Sequence, residues 1–137
     1  MAHWLLKSEP STWSWEQQVA AGPKGTFWNG VRNHLAKIQL MSMKKGERGF
    51  FYHSNEGKAV VGIVEVVKLW APDPNDARGT FGAVTIRAVE PLPRAVTLAE
   101  IKADAALSDM VLVKNSRLSV QPVTESEWAH IRTLGGL

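Results

Sequence analysis

The sequence has 137 residues, 45% of them hydrophobic, which predicts one domain spanning residues 1–137 with a core of its own. Cysteine is absent, so disulfides and cysteine-ligated metal sites are excluded. The formal net charge of +3 is a mild bias toward polyanionic partners and does not by itself establish one.

The beginning of the chain carries no pattern typical of export. The apolar patch at residues 4–6 is short and is followed at once by polar residues and Pro10, unlike the apolar stretch of a signal peptide. No window approaches the roughly eighteen apolar residues of a membrane span. We therefore expect a cytoplasmic protein that does not associate with membranes.

The first third of the chain predicts a strand and two helices. Residues 3–6 are a short apolar run typical of a strand. Ser14 opens a helix with a capping box, because its hydroxyl and the Gln17 side chain can satisfy two backbone N–H groups reciprocally, and this helix should end at Gly22. A longer helix is predicted over residues 31–45, with a buried apolar stripe formed by Val31, Leu35, Ile38 and Met41.

The middle of the chain predicts three strands, over residues 48–53, 59–70 and 80–89. Residues 55–57 form a hairpin turn between the first two. The second strand is apolar on nearly both faces, which predicts that it is covered on two sides, whereas the third alternates like a half-buried strand.

The last third predicts two more capped helices and a strand. Thr97 with Glu100, and Thr124 with Glu127, have capping-box spacing, and residues 117–120 are a short apolar run. Together the elements predict an α+β domain around a curved, mostly antiparallel sheet. A partly closed barrel would hide the edges of so many short strands.

Positive charge is concentrated in one third of the chain. Residues 23–58 contain seven basic and two acidic residues, a net charge of +5, against −2 for the remainder. A lysine-rich helix usually presents a solvated face, and that interpretation stays open. Because aromatic residues are interleaved with the basic ones, an electrostatic footprint for a phosphate backbone is an equally good interpretation.

The residue patterns of common catalytic and metal sites are missing. No serine lies in a Gly-x-Ser-x-Gly elbow, and His53 and Ser54, as neighbours in a strand, should point to opposite faces. Histidine pairs and carboxylate runs with metal-ligand spacing are absent, as are phosphate-binding glycine loops. We therefore expect no catalytic residues, no metal and no cofactor.

Four stretches combine an apolar run with hydrogen-bonding side chains, at residues 4–10, 27–33, 50–54 and 116–120. If their ends converge, they would form an apolar slot with a few polar groups, which suits a planar heterocycle. A tryptophan taken alone is more often a core residue, and we assign Trp4 and Trp128 to the core. Trp28 is predicted to form a pocket wall, because Gly30 permits close approach of a ligand.

The motifs WLLKSEP, WNGVRN, FFYHS followed by VVGIVEVV and PDP, and SRLSV occur in this order along nearly the whole chain. In them the sequence resembles the EVE domain of the PUA-like superfamily. The resemblance implies a pseudo-barrel of five to six mostly antiparallel strands flanked by helices, with a pocket that receives a flipped base. EVE domains are regarded as readers of modified bases, with 5-methylcytosine and its oxidised forms the leading candidates. Phe81 departs from the tryptophan of many members.

Carried over residue by residue, the resemblance implies a base-binding pocket and a rim that contacts phosphate. The pocket would comprise Lys7, Ser8, Glu9, Trp28, Asn29, Gly30, Val31, Tyr52, His53, Ser54, Ser116 and Leu118, and the rim Arg32, Asn33, Lys37 and Arg117. We assign base stacking to Trp28 and contacts with the base edge to Ser8, Asn29 and Ser54. The expected protein is a monomer that binds DNA or RNA carrying a modified base and catalyses no reaction.

Two other functions remain open. Some ASCH relatives hydrolyse a modified nucleoside, which would require a lysine such as Lys7 with a pKa lowered by burial, or a carboxylate poised as a base. Glu65 is the one carboxylate within an apolar strand, although a surface-facing side chain would account for it. The third possibility is an RNA-binding accessory module without preference for a modification.

Overall fold

The computed structural model describes residues 2–28, 33–115 and 117–137. Within these ranges the chain forms six strands and five α-helices. In chain order they are β1 (His3–Ser8), α1 (Trp15–Ala20), β2 (Thr26–Phe27), α2 (His34–Ser42), β3 (Arg48–His53), β4 (Ala59–Pro72), β5 (Gly82–Thr97), α3 (Leu98–Ala103), α4 (Val111–Lys114), β6 (Val120–Val123) and α5 (Glu125–Leu134). Among the described residues, none of the helices has the length and apolar character needed to span a bilayer.

The six strands form one open sheet in the order β2-β5-β4-β3-β1-β6. Neighbouring strands are antiparallel, except that β1 and β3 run parallel. The pairing of the two long strands β4 and β5 shifts register at four places, and such bulges bend a strand and increase its twist. The predicted α+β fold class and the mostly antiparallel sheet are therefore confirmed.

Local capping chemistry predicted three helices correctly. Ser14, Thr97 and Thr124 each form a complete capping box, at the start of α1, α3 and α5. Gly22 follows α1 with a left-handed φ of 67°, as expected for a glycine just beyond a helix. Strand β3 has the predicted bounds, whereas β5 continues to Thr97, well beyond the predicted end at residue 89.

The prediction for α2 was wrong in its buried face. Leu35, Ile38 and Met41 are 53%, 56% and 54% exposed, whereas Ala36 and Leu40 are fully buried. Both sets have helical spacing, so periodicity alone could not choose between them. The helix packs against β5 and β6, with Ala36 and Leu40 as its buried residues, and it spans residues 34–42 rather than 31–45. Residues 31 and 32 lie outside the described ranges.

The last strand was also displaced in the prediction. It covers Val120–Val123 rather than residues 117–120, and pairs antiparallel with β1. Leu118 precedes it in a turn, where the Gln121 side-chain amide donates to the Leu118 carbonyl at 2.7 Å and to the Asn115 carbonyl at 3.3 Å. A turn held by a side chain leaves no apolar periodicity to reveal it.

The core lies on both sides of the sheet. One side, here called the Trp28 face, buries Leu6, Trp28 and Phe51 beneath α1 and α2. The other, the Trp128 face, buries Phe50 and Trp128 beneath the helices of the second half of the chain. Since successive strand residues point to opposite faces, β1 and β3 supply both cores. The predicted core positions of Trp4 and Trp128 and the two-sided cover of β4 are confirmed.

Glu47 is a charged residue that the fold buries to 5% exposure. Its carboxylate accepts the Lys44 N–H at 2.8 Å, the Trp4 indole N–H at 3.1 Å and the Ala2 N–H at 3.1 Å. A buried charge is tolerated when hydrogen bonds replace its water. Glu47 thereby joins the start of β1 to the turn that leads into β3.

Gly62 in β4 gives the Trp15 ring its place on the Trp28 face. A Cβ atom at this position would lie 2.4 Å from Cη2 and 2.5 Å from Cζ2 of Trp15, closer than side chains approach one another. The Trp15 ring also meets Phe51 edge to face, with centroids 5.4 Å apart, so it has little room to retreat. The missing side chain of Gly62 is therefore part of the packing.

We predict that Gly62→Ala lowers the free energy of unfolding by about 1–3 kcal/mol, the usual cost of overpacking. Chemical denaturation of wild type, Gly62→Ala, Trp15→Leu and the double variant measures the coupling. In the Trp15→Leu background the alanine should cost much less, because the ring that it displaces is gone. Equal costs in both backgrounds would contradict this packing argument.

Candidate nucleic-acid interface

The parallel pairing of β1 and β3 brings their carboxyl ends to one edge of the sheet. Lys7 lies opposite Tyr52, and Ser8 opposite His53. The Ser54 N–H donates to the Ser8 carbonyl at 2.9 Å, and the Lys7 N–H donates to the Ser119 carbonyl at the same distance. The edge therefore gathers the first, third and fourth of the four stretches that the sequence singled out.

A cleft of about 610 Å³ opens beside this edge on the Trp128 face. Its floor is apolar and aromatic, with Tyr52 and Leu112 each 3% exposed. Its rim is polar, and three of the rim residues are lysines. The cleft, called the lysine cleft below, is lined by Tyr52, Leu98, Leu112 and Val113, by Ser54, Asn55 and Ser119, and by Lys7, Glu9, Lys58 and Lys102.

Four of the predicted pocket residues line the lysine cleft, namely Lys7, Glu9, Tyr52 and Ser54. The Lys7 ammonium lies 6.0 Å from the centroid of the Tyr52 ring. Burial lowers the pKa of Lys7 and raises the pKa of Tyr52, because a poorly hydrated site disfavours the charged form of each. The lysine is half-buried rather than extended into solvent.

Other predicted pocket residues lie on the opposite side of the sheet. The Ser8 hydroxyl donates to the Trp13 carbonyl at 2.5 Å, and Leu118 is buried in the core of the Trp28 face. Trp28 is 8% exposed and meets Phe51 edge to face, with centroids 5.8 Å apart. Because neighbouring strand residues alternate between faces, the described pocket residues divide into two groups and do not line a single slot.

His53 has a structural contact that the sequence did not predict. The Trp15 N–H, at the start of α1, donates to His53 Nε2 at 3.1 Å, so the ring is neutral with its proton on Nδ1. Burial lowers the pKa of His53, and the nearby Glu16 opposes this in part. The histidine thus satisfies a helix N–H group that has no partner within the helix.

The predicted rim residues that the structure describes lie at the start of α2, within α2 and in the loop between α4 and β6. Asn33 caps α2, since its side chain accepts the Ala36 N–H at 3.1 Å. The Lys37 ammonium lies 5.9 Å from the ring centroids of both Trp70 and Phe81. Arg117 is exposed. The predictions for Asn29, Gly30, Val31, Arg32 and Ser116 fall outside the described residues.

Sequence reasoning missed several residues of the lysine cleft, among them Lys58 and Lys102. Lys58 follows the predicted turn at residues 55–57, so the pattern did place it directly before a strand and near Ser54 in the chain. Lys102 comes from α3, whose position against this edge depends on tertiary packing. Its backbone link is the Leu98 N–H, which donates to the Lys58 carbonyl at 2.8 Å.

Comparison with known proteins gives this α+β domain a family. A sequence model of the EVE domain matches residues 2–134, and the chain belongs to the EVE domain family. Thymocyte nuclear protein 1 of Gallus gallus is 35% identical, over 96% of this chain and 68% of its own length.

Two solved structures show how closely the fold is shared. The crystal structure of a protein from Agrobacterium tumefaciens is 51% identical, with a TM-score of 0.97, and the match covers 100% of this chain and 94% of that one. Human THYN1 protein, crystallised in complex with DNA containing 5-methylcytosine, is 32% identical with a TM-score of 0.89. That match covers 100% of this chain and 99% of the human chain. The whole domain, including the edge that carries the candidate site, has counterparts in both.

We predict that acid weakens the fold in part through His53. Its folded-state pKa lies below the ordinary value of 6.5, so the unfolded chain takes up the proton first. The contribution of His53 to the free energy of unfolding is complete above about pH 6.5 and decreases as the pH falls below that value. The decrease is at most about 1.4 kcal/mol per pH unit for one histidine.

Urea denaturation at several pH values between 8 and 5 tests this prediction. His53→Gln, whose amide oxygen can still accept the Trp15 N–H, should show a weaker pH dependence than wild type. Burial also lowers the pKa of His3, so His3→Gln and the double variant account for the remainder. An unchanged pH dependence in His53→Gln would refute the assignment.

Proposed function

We propose that this protein is a non-catalytic module that binds DNA and accommodates a modified cytosine, 5-methylcytosine or an oxidised form, as a flipped base. The observation that carries this proposal is the complex of the human relative with 5-methylcytosine DNA, because the similarity extends over the entire chain. The four sequence motifs shared with the family point in the same direction.

The charge distribution supports a nucleic-acid partner. The basic surplus lies in residues 23–58, and the described part of that segment exposes Lys24, Lys44 and Lys45, which lie outside the lysine cleft. Exposed lysines that neutralise phosphates release counterions, which makes binding weaker as salt increases. This contribution is independent of the base and sets affinity rather than specificity.

We assign the base to the Trp28 face, beside Trp28 and the segment that follows it. Stacking on an aromatic ring returns about 1–3 kcal/mol per base, comparable to the few kcal/mol that extrusion from a duplex costs. Ser8 and Asn29 are the proposed contacts with the base edge. A methyl group in an apolar niche adds about 0.8 kcal/mol, so a preference of about fourfold for 5-methylcytosine over cytosine is expected from burial alone.

The contacts of Ser8 and His53 favour binding over catalysis. A hydrolytic serine needs a base within hydrogen-bond reach. The Ser8 hydroxyl instead donates to a backbone carbonyl, while His53 Nε2 accepts a backbone N–H. Both side chains are therefore held by backbone groups, and the Ser8 oxygen can still accept a hydrogen bond from the base edge.

The binding proposal predicts salt-dependent binding with a modest preference for the modified base. Fluorescence titration of a duplex with one central 5-methylcytosine should give about fourfold tighter binding than the unmodified duplex, and both affinities should fall linearly on a logarithmic salt scale. The same strand as RNA tests the partner. Equal, salt-insensitive binding of both DNA duplexes, or a clear preference for unmodified RNA, would overturn the proposal.

Trp28→Ala should abolish the preference for the modified base. Because Trp28 also belongs to the core, the fold of this variant is verified by circular dichroism and thermal unfolding. Asn29→Ala removes a proposed edge contact and serves as the second variant. If both variants fold and retain the wild-type preference, the base does not bind on the Trp28 face.

Absence of turnover is the remaining expectation. Incubation with N4-acetylcytidine, followed by chromatography, should release no free cytidine. If wild type releases cytidine and Lys7→Met does not, the protein is a nucleoside amidohydrolase and the proposal of a non-catalytic module is wrong.

A further inference from the structure

We propose that the lysine cleft is a second ligand site, which binds a phosphate ester with the phosphate among its lysines and the organic part on its apolar floor. It lies on the Trp128 face, across the sheet from the proposed base site. Its volume of about 610 Å³ is within the range of pockets that hold small organic ligands and is large enough for a nucleotide.

The charge of the cleft selects an anion. Lys7, Lys58 and Lys102 come from three different parts of the fold, namely β1, the turn between β3 and β4, and α3. Glu9 is the single carboxylate among the lining residues, so the lining carries a net positive charge. Lysines that converge on one concave surface attract phosphate groups and raise their local concentration.

The environment of Lys7 favours binding of an anion deep in the cleft. Its ammonium is half-buried over the Tyr52 ring, and burial lowers its pKa. A phosphate beside it would offset the lost hydration, because an opposite charge at short range favours the charged form of the amine. Ligand binding should therefore raise the pKa of this lysine.

The floor selects an ester over inorganic phosphate. Leu98 and Val113 are partly exposed and supply most of the accessible apolar surface, and Tyr52 and Leu112, each 3% exposed, back it from below. Such a surface gains free energy when it covers carbon atoms, for instance those of a sugar or base. Ser54, Asn55 and Ser119 supply hydroxyl and amide groups for hydrogen bonds with the polar atoms of the ligand.

The fold holds the rim in position before any ligand arrives. Lys58 has a left-handed φ of 33°, an uncommon conformation for a residue with a side chain, and Asn55 in the same turn has a φ of 65°. The carbonyl of Lys58 accepts the Leu98 N–H at 2.8 Å, which ties the turn to the start of α3. Two of the three lysines therefore belong to segments that are joined by a hydrogen bond.

The phosphate ester can come from a free nucleotide or from the DNA backbone at this edge of the sheet, and the test separates these sources. Isothermal titration calorimetry with dCMP, deoxycytidine and inorganic phosphate measures the cleft directly. Wild type is compared with Lys58→Met and Lys102→Met, and the control is Lys68→Met, an exposed lysine on β4 that does not line the cleft. All variants are full-length and verified by circular dichroism.

We expect dCMP to bind at least tenfold more tightly than deoxycytidine or phosphate, and each cleft variant to weaken it at least fivefold while Lys68→Met does not. If the cleft variants also weaken binding of the 5-methylcytosine duplex, the source is the DNA backbone; if only dCMP binding falls, it is a free nucleotide. The proposal is overturned if neither dCMP nor duplex affinity distinguishes the cleft variants from the control.

The test of the lysine cleft is independent of the proposed binding of a modified base on the Trp28 face. The ratio of affinities for methylated and unmodified duplex reports on the Trp28 face, so it should stay at its wild-type value in Lys58→Met and Lys102→Met. If wild type shows no preference for the methylated duplex but still binds dCMP, the proposed function is wrong and the proposal for the lysine cleft stands.

Discussion

The parallel pairing of β1 with β3 is the constraint on which the arrangement of this protein depends. Parallel strands end at the same edge, and the connection between them must travel back along the sheet. Here that connection contains α1, β2, Trp28 and α2. Helices α1 and α2 cover the Trp28 face, and Trp28 is buried in its core. One pairing therefore gathers the polar strand ends and brings Trp28 to the adjacent face.

The same edge presents different chemistry to the two sides of the sheet. On the Trp28 face, Ser8 and His53 are bound to backbone groups and stand beside tryptophans. On the Trp128 face, Lys7 and Tyr52 line a cleft that two further lysines also line. Groups held by a sheet are positioned more accurately than groups on loops, which suits the discrimination of one methyl group that we propose.

Sequence reasoning predicted what local chemistry decides. Ser14, Thr97 and Thr124 start helices because their hydroxyls satisfy nearby N–H groups, whatever the rest of the chain does. The buried face of α2 could not be predicted, since its two apolar stripes differ only in which one fits against β5 and β6. Because neighbouring strand residues point to opposite faces, the sequence of β1 was sufficient to predict that Lys7 and Ser8 lie on different sides of the sheet. The placement of Lys58 and Lys102 in one cleft depends on how α3 packs and could not be predicted.

Trp15 connects three distant parts of the chain. Its backbone N–H is bound by His53, and its ring occupies the space that a side chain at Gly62 would fill. The substitution history of these positions should therefore be linked across the family. A lineage that exchanges the tryptophan for a smaller residue becomes free to replace the glycine, while the reverse order of changes has to pass through a poorly packed ancestor.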